Sequence, residues 1–169
     1  MDKQSIFFSC ITAIVSTALM LITIQYLAKR QNILFEKEQK INISYSIWLT
    51  SLMVAFFILL KVSVELIENS IELIINSKST ENAFVEVMQK ISIFIGFTFI
   101  FTFLSYYIVH SLLKLVIGNR IDSIEIQKDN YGYFIVKGLV LILFVISLIT
   151  IFEHFLNWFM PTVETPFYH

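Results

Sequence analysis

The sequence predicts an all-α polytopic membrane protein, four transmembrane helices arranged as two repeated helical hairpins. Three observations carry that reading. Of 169 residues, 57% are apolar and 15% charged, with a mean hydropathy of +0.77, far above a soluble domain of this size. Four stretches, roughly 5–26, 43–64, 91–113 and 133–159, are long enough for a hydrocarbon core that takes about 20 apolar residues per helix. Finally, residues 39–69 recur at 127–157. Gln39, Lys40, Asn42, Tyr45, Ile47, Phe56, Ile58, Leu60, Glu65 and Asn69 meet Gln127, Lys128, Asn130, Tyr133, Ile135, Phe144, Ile146, Leu148, Glu153 and Asn157, 10 identities in 31 ungapped positions. Shared hydrophobicity accounts for the aliphatic and phenylalanine matches. It does not account for the polar ones, which are costly at membrane depth. The apolar runs are continuous, without the alternation of a strand. Both prolines, Pro161 and Pro166, follow the last span, so none breaks a helix internally.

The whole chain, 1–169, then reads as one membrane domain. Repeat one covers about 5–76, repeat two about 91–160, and an outer connecting hairpin about 62–90 links them. The first span is expected to be retained and not cleaved as a signal. Its apolar run outlasts a typical signal core, and Lys3 is the only basic residue before it, balanced by Asp2. Ser16-Thr17-Ala18 would serve as a cleavage site, but Leu19 to Ile24 still follow it. Along this span Ser5, Ser9, Thr12, Ser16 and Thr23 fall within about 60° of one another at about 100° per residue, a hydroxyl stripe over its whole depth. Thr98, Thr102 and Ser105 form a shorter version in span three. Small hydroxyl residues suit close helix packing; a water-lined path is the other reading. A pore within one four-helix protomer would be too narrow, so any conduit needs several copies, with span one expected at the contact.

Span two begins after a basic loop carrying Lys29, Arg30, Lys37 and Lys40. Asn42 sits where that loop enters the helix, and Asn130 sits at the matching entry of span four. Each is expected to cap a first turn, with a polar contact between repeats or subunits as the alternative. The Asn42-Ile43-Ser44 sequon is discounted, because its loop is short, basic and expected in the cytoplasm. Tyr45, Trp48 and Tyr133 read as an inner aromatic belt and Trp158 as an outer one. After Leu60, apolar residues from Val62 to Ile74 interleaved with Glu65, Glu68 and Glu72 continue an amphipathic helix. Asn76–Asn82 then reads as a turn and a helix cap, followed by a helix over about 83–117, roughly 50 Å long. Spans two and three should project together as an acidic outer hairpin.

Orientation follows from the basic residues. Lys114, Arg120, Lys128 and Lys137 join the four of loop one. Lys3, Lys61, Lys78 and Lys90 lie at the other end among five glutamates. Loops one and three are therefore expected in the cytoplasm, and both termini outside. Glu65 with Asn69, and Glu153 with Asn157, share helix faces near the outer ends of spans two and four. Three readings compete for them: snorkelling carboxylates, an acidic ring at a pore mouth, and metal or proton handling by Glu153, His154 and His110. No zinc-type ligand spacing supports the last, and no metal is assigned.

The loop-to-helix segments Glu36–Ile47 (EKEQKINISYSI) and Glu125–Ile135 (EIQKDNYGYFI) resemble the motif of YjfL-like proteins, duplicated four-span bacterial membrane proteins of unknown function. The resemblance covers the two-hairpin architecture and both motif sites. It departs where the family has a glycine pair inside the next helix: Thr50-Ser51 and Lys137-Gly138 stand there instead, which argues against tight helix contact at that level. The resemblance implies a topology and no activity.

No P-loop, GxGxxG, GxSxG or CxxC is present, and lone Cys10 offers no disulfide framework. With a net charge of −1 there is no nucleic-acid footprint. The expectation is a non-enzymatic protein of a bacterial plasma membrane, without cofactor, whose partners are the bilayer and further copies of itself: a small homo-oligomeric channel or permeability module. The alternative is an accessory or immunity protein binding another protein, as small four-span proteins do beside toxin and antiviral operons.

Overall fold

A computed structural model describes residues 3–31, 33, 36–37, 40–76 and 82–161. Among the described residues the regular structure is helical apart from one ribbon of two two-residue strands. Its elements are α1 (Lys3–Arg30), β1 (Glu36–Lys37), β2 (Lys40–Ile41), α2 (Ile43–Asn76), α3 (Ala83–Ile117), α4 (Asp122–Gln127) and α5 (Tyr131–Asn157). The four long helices are long and apolar enough to cross a membrane. β1 and β2 pair antiparallel, Glu36 opposite Ile41 and Lys37 opposite Lys40. Neither this ribbon nor α4 is foreshadowed by the hydropathy pattern.

α2 is the central helix. It packs on α1, α3 and α5, and α3 also packs on α5. Half of the most apolar window of α2 is buried, against 22–28% in the other three. The amphipathic extension past Leu60 is real: Ile67, Ile71 and Ile74 are all buried, and α2 runs on to Asn76. At 34 and 35 residues, α2 and α3 are about 50 Å long, whereas α1 and α5 are nearer 40 Å. Asn82 does stand at the start of α3, but its side chain makes no capping bond. The Ser77–Thr80 part of the expected turn lies outside the described residues.

Two seams hold the bundle. Between α3 and α5, phenylalanines interlock: Phe97 with Phe155 at 4.8 Å and Phe101 with Phe152 at 4.9 Å between ring centroids. Such pairs add about 0.5–1.5 kcal/mol beyond their buried area. Between α2 and α5, Gly138 meets Ser51. A Cβ at Gly138 would stand 2.1 Å from Ser51 Oγ, so this is a close backbone approach. The weak contact expected from the missing glycine pair is thus corrected. One glycine against one serine suffices, because the serine hydroxyl folds back onto Ile47 O at 2.7 Å.

The hydroxyl stripe of α1 lies inside the protomer. Ser5, Ser9, Thr12 and Ser16 are buried, continued by Met20, Ile24 and Ala28 on the same face, which packs mainly on α2. Thr23 is half-buried and returns its hydroxyl to Leu19 O at 2.8 Å. This removes the reason for placing the stripe at a contact between copies. On α3, Thr98, Thr102 and Ser105 are buried likewise, and Thr98 Oγ1 lies 2.6 Å from Ser63 Oγ of α2.

Candidate functional site

Both connections, α1 to α2 and α3 to α5, meet at one end of the bundle, where Asn42 Nδ2 donates to Ile126 O at 2.7 Å. The matched asparagines do the same work. Asn42 Oδ1 accepts from Ser44 N at 2.9 Å and Tyr45 N at 3.3 Å, and Asn130 Oδ1 accepts from Tyr133 N at 3.4 Å. Each therefore caps the helix it precedes. Each also spends its amide on the α4 region, Asn130 Nδ2 reaching Glu125 Oε2 at 2.6 Å. For Asn42, capping and contact between repeats, posed as alternatives by the sequence, coexist; Asn130 caps and bonds within its own repeat. Asp129, in the left-handed region at φ 53°, turns its carboxylate onto the start of α2. Its Oδ1 accepts from Ser44 N at 3.0 Å and Ser44 Oγ at 2.8 Å.

These caps fix α4, and α4 fixes Asp122. The chain leaves α3 at Gly118, whose φ of 85° suits a residue without Cβ. It returns through Asn119–Ile121, and Ile126 plugs into the core fully buried. Glu125 is held by Arg120 Nη1 at 3.2 Å as well as by Asn130. Asp122 is thereby aimed between α3 and α5.

There it meets Lys137. This lysine lies six residues into α5, about 9 Å from the helix start, and is 2% exposed. Its Nζ is 2.7 and 2.6 Å from the two carboxylate oxygens of Asp122, 2.9 Å from Tyr106 Oη and 3.0 Å from His110 Nδ1. It also stands 4.1 Å from the centroid of the Tyr106 ring, a cation–π contact. Tyr106 and His110 are one turn apart on α3. Tyr106 donates to Asp122 Oδ2 and accepts from Trp48 Nε1 at 2.7 Å. Tyr133 donates to Asp122 Oδ1 at 3.2 Å. An ammonium has three donors and no acceptor, so His110 must accept through Nδ1 and carry its proton on Nε2.

The network is closed on itself: one cation, one anion, and hydroxyls, indole and imidazole saturating both. Chemically it can hold a charge pair inside an apolar bundle. Asp122 and His110 also border an open cavity.

The sequence-predicted residues fall in two places. Asn42, Asn130, Tyr45 and Tyr133 come together at this end. Trp48 and Tyr133, expected in an aromatic belt, are instead buried at 4% and 7%, because their polar atoms serve the network. Tyr26, Tyr107 and Tyr131 are exposed instead. Glu65, Asn69, Glu153 and Asn157 lie at the far end of the bundle and are all exposed. Glu65 pairs with Lys61 at 3.7 Å. Glu65 and Glu153 border one open groove lined by residues of α2 and α5. His110 belongs to the Lys137 network, 16 residues along α5 from Glu153, so the grouping of Glu153, His154 and His110 is corrected. Among the described residues no three metal-ligating side chains come together.

Lys137, Asp122, Tyr106, His110 and Trp48 were not assembled from the sequence. Lys137 carried the one available signal, a charge flanked by apolar residues on both sides. No family model, curated protein or solved structure matches the chain.

Proposed function

We propose that this chain is a multi-pass protein of a bacterial plasma membrane that acts in the bilayer, without enzymatic chemistry, as a permeability module gated at the Lys137–Asp122 centre. The observation that carries the reading is the fully buried Lys137 ion pair. A bundle needing only stability would gain as much or more from apolar residues there, and an ionisable group within a span is by default a functional one. A pore within one four-helix protomer would be too narrow, so the reading includes several copies in a homo-oligomer; the Phe97–Phe155 and Phe101–Phe152 pairs between α3 and α5 support that view of the single bundle. The basic end faces the cytoplasm by the excess of Lys and Arg in its connections.

The test is flux. Protein reconstituted in liposomes should pass ions above the level of empty liposomes, and replacing Lys137 by Met together with Asp122 by Leu should change that flux while the protein stays folded. Liposomes no leakier with protein than without would end this reading.

A second reading is favoured by one observation, the excess length of α2 and α3. The projecting hairpin carries Glu68, Glu72 and Glu86 and would suit a protein partner, as in an accessory or immunity protein. Duplication, and with it kinship to YjfL-like proteins, is part of the proposal. The equivalent caps of Asn42 and Asn130 support it. The packing departs from a strict two-fold, since α3 lies on both α2 and α5 while α1 has no comparable contact with α5.

A further inference from the structure

Where α3 ends, a cavity of about 300 Å³ opens between Gln31, just past the end of α1, and the α3–α4 connection. Its wall offers donors and positive charge: Lys114, Asn119, Arg120 and Ser123 besides Gln31. Lys114 is exposed and forms no ion pair among the described residues. Arg120 gives Nη1 to Glu125, but its Nε is buried with no partner, and a buried unpaired donor costs about 1–3 kcal/mol. The acidic groups nearby are already engaged, Asp122 by Lys137 at 2.6 Å and Glu125 by Arg120 and Asn130. With Lys114, Arg120 and Lys137 against Asp122 and Glu125, the region carries one net positive charge when His110 is neutral. The cavity therefore suits an anion rich in acceptor oxygens.

Its position says which anion. It lies at the ends of helices long and apolar enough to span, and α3 and α5 also carry exposed Tyr107 and Tyr131, aromatic side chains of the kind that mark the membrane–water interface. Beside it Leu115 and Val116 are each 83% exposed on the last turn of α3, an apolar track for acyl chains. We propose that this cavity binds the phosphate headgroup of an acidic phospholipid, with Lys114 and Arg120 as cationic contacts, Asn119 and Ser123 as donors, and the acyl chains along Leu115 and Val116. Basic pockets between spans on the cytoplasmic side take such headgroups. The inference rests on the membrane reading and not on permeation, so a protein that conducts nothing would leave it standing.

The experiment uses the full chain in nanodiscs of phosphatidylcholine with and without phosphatidylglycerol, and reads co-purified lipid by native mass spectrometry. Phosphatidylglycerol should be retained preferentially, and Lys114→Gln should reduce that retention about fivefold, the weight of one cation at a membrane surface. Lys61→Gln, the same charge loss at the opposite end, should leave it unchanged. Arg120→Gln should act like Lys114→Gln, but it also frees Glu125, so the exposed Lys114 variant decides. Equal losses in the Lys114 and Lys61 variants would reduce the effect to overall charge and overturn the site. Displacement of the lipid by soluble glycerol phosphate at comparable concentration would assign the cavity to free phosphates and overturn the lipid proposal.

Discussion

Lys137 is the residue on which most of the polar structure converges, and its energetics separate two quantities that are easily confused. Removing one partner of a buried pair leaves the other charged and unsolvated, a loss of about 3–5 kcal/mol. Removing both leaves only neutral groups, and the Trp48 indole N–H still donates to Tyr106 Oη. Lys137→Met and Asp122→Leu should therefore each destabilise strongly, while the double variant recovers most of the loss. Unfolding in detergent, read as a double-mutant cycle, measures the difference. Additive losses would mean that the pair is not coupled as the 2.6 Å contact implies. The sequence exposed Lys137 but hid its partner. Asp122 sits in a connection with no periodicity, and only the turn at Gly118 and the anchoring of Ile126 bring it under α5. The asparagines were legible because capping is local chemistry: Asn42 and Asn130 each bond an amide three residues on.

Between elements, the decisive contact is α2 on α5, set by Ser51 and Gly138. Gly138→Ala would drive a methyl to 2.1 Å from the serine oxygen. Overpacking of this kind costs about 1–3 kcal/mol, and here it would also shift the neighbouring Lys137 away from Asp122. Ser51→Gly should rescue Gly138→Ala, because it removes both atoms that the new methyl would strike. Thermal unfolding of the two single variants and the double would show the rescue, and a double variant as unstable as Gly138→Ala alone would place the strain elsewhere. The four long helices, their order and the extension of α2 to Asn76 were all readable, since each is a long periodic pattern; the short α4 was not. The packing partners were not. A stripe such as Ser5 to Ser16 states that something approaches closely, and leaves open whether that neighbour is α2 of the same chain or a helix of another copy. For α1 the structure answers α2. The same ambiguity misplaced Trp48 and Tyr133, whose amphipathic side chains suit a membrane interface or a buried polar network equally well.

For the molecule as a whole, sidedness and assembly remain the properties that the proposed function needs. With the basic connections in the cytoplasm, a cysteine at Asn119 in a Cys10→Ser background should react with impermeant reagent only after the membrane is opened. A cysteine at Asn157 should react in intact cells, and the reverse pattern would invert the orientation. Assembly must use faces that the protomer leaves outward. On α1 these include Ile14 and Leu21, 65% and 40% exposed, opposite the buried hydroxyl stripe. Ser9→Leu and Ser16→Leu should then destabilise the protomer itself, by about 1–3 kcal/mol each through overpacking against α2, whatever the oligomeric state. Polar replacements at Ile14 and Leu21 should leave unfolding in detergent nearly unchanged and weaken association. Native mass in mild detergent, measured beside unfolding on the same four variants, separates the two effects. If the parent protein is a monomer under those conditions and in liposomes, the proposed conduit lacks the further copies it requires. The permeability reading would then give way to the accessory reading built on the projecting α2–α3 hairpin.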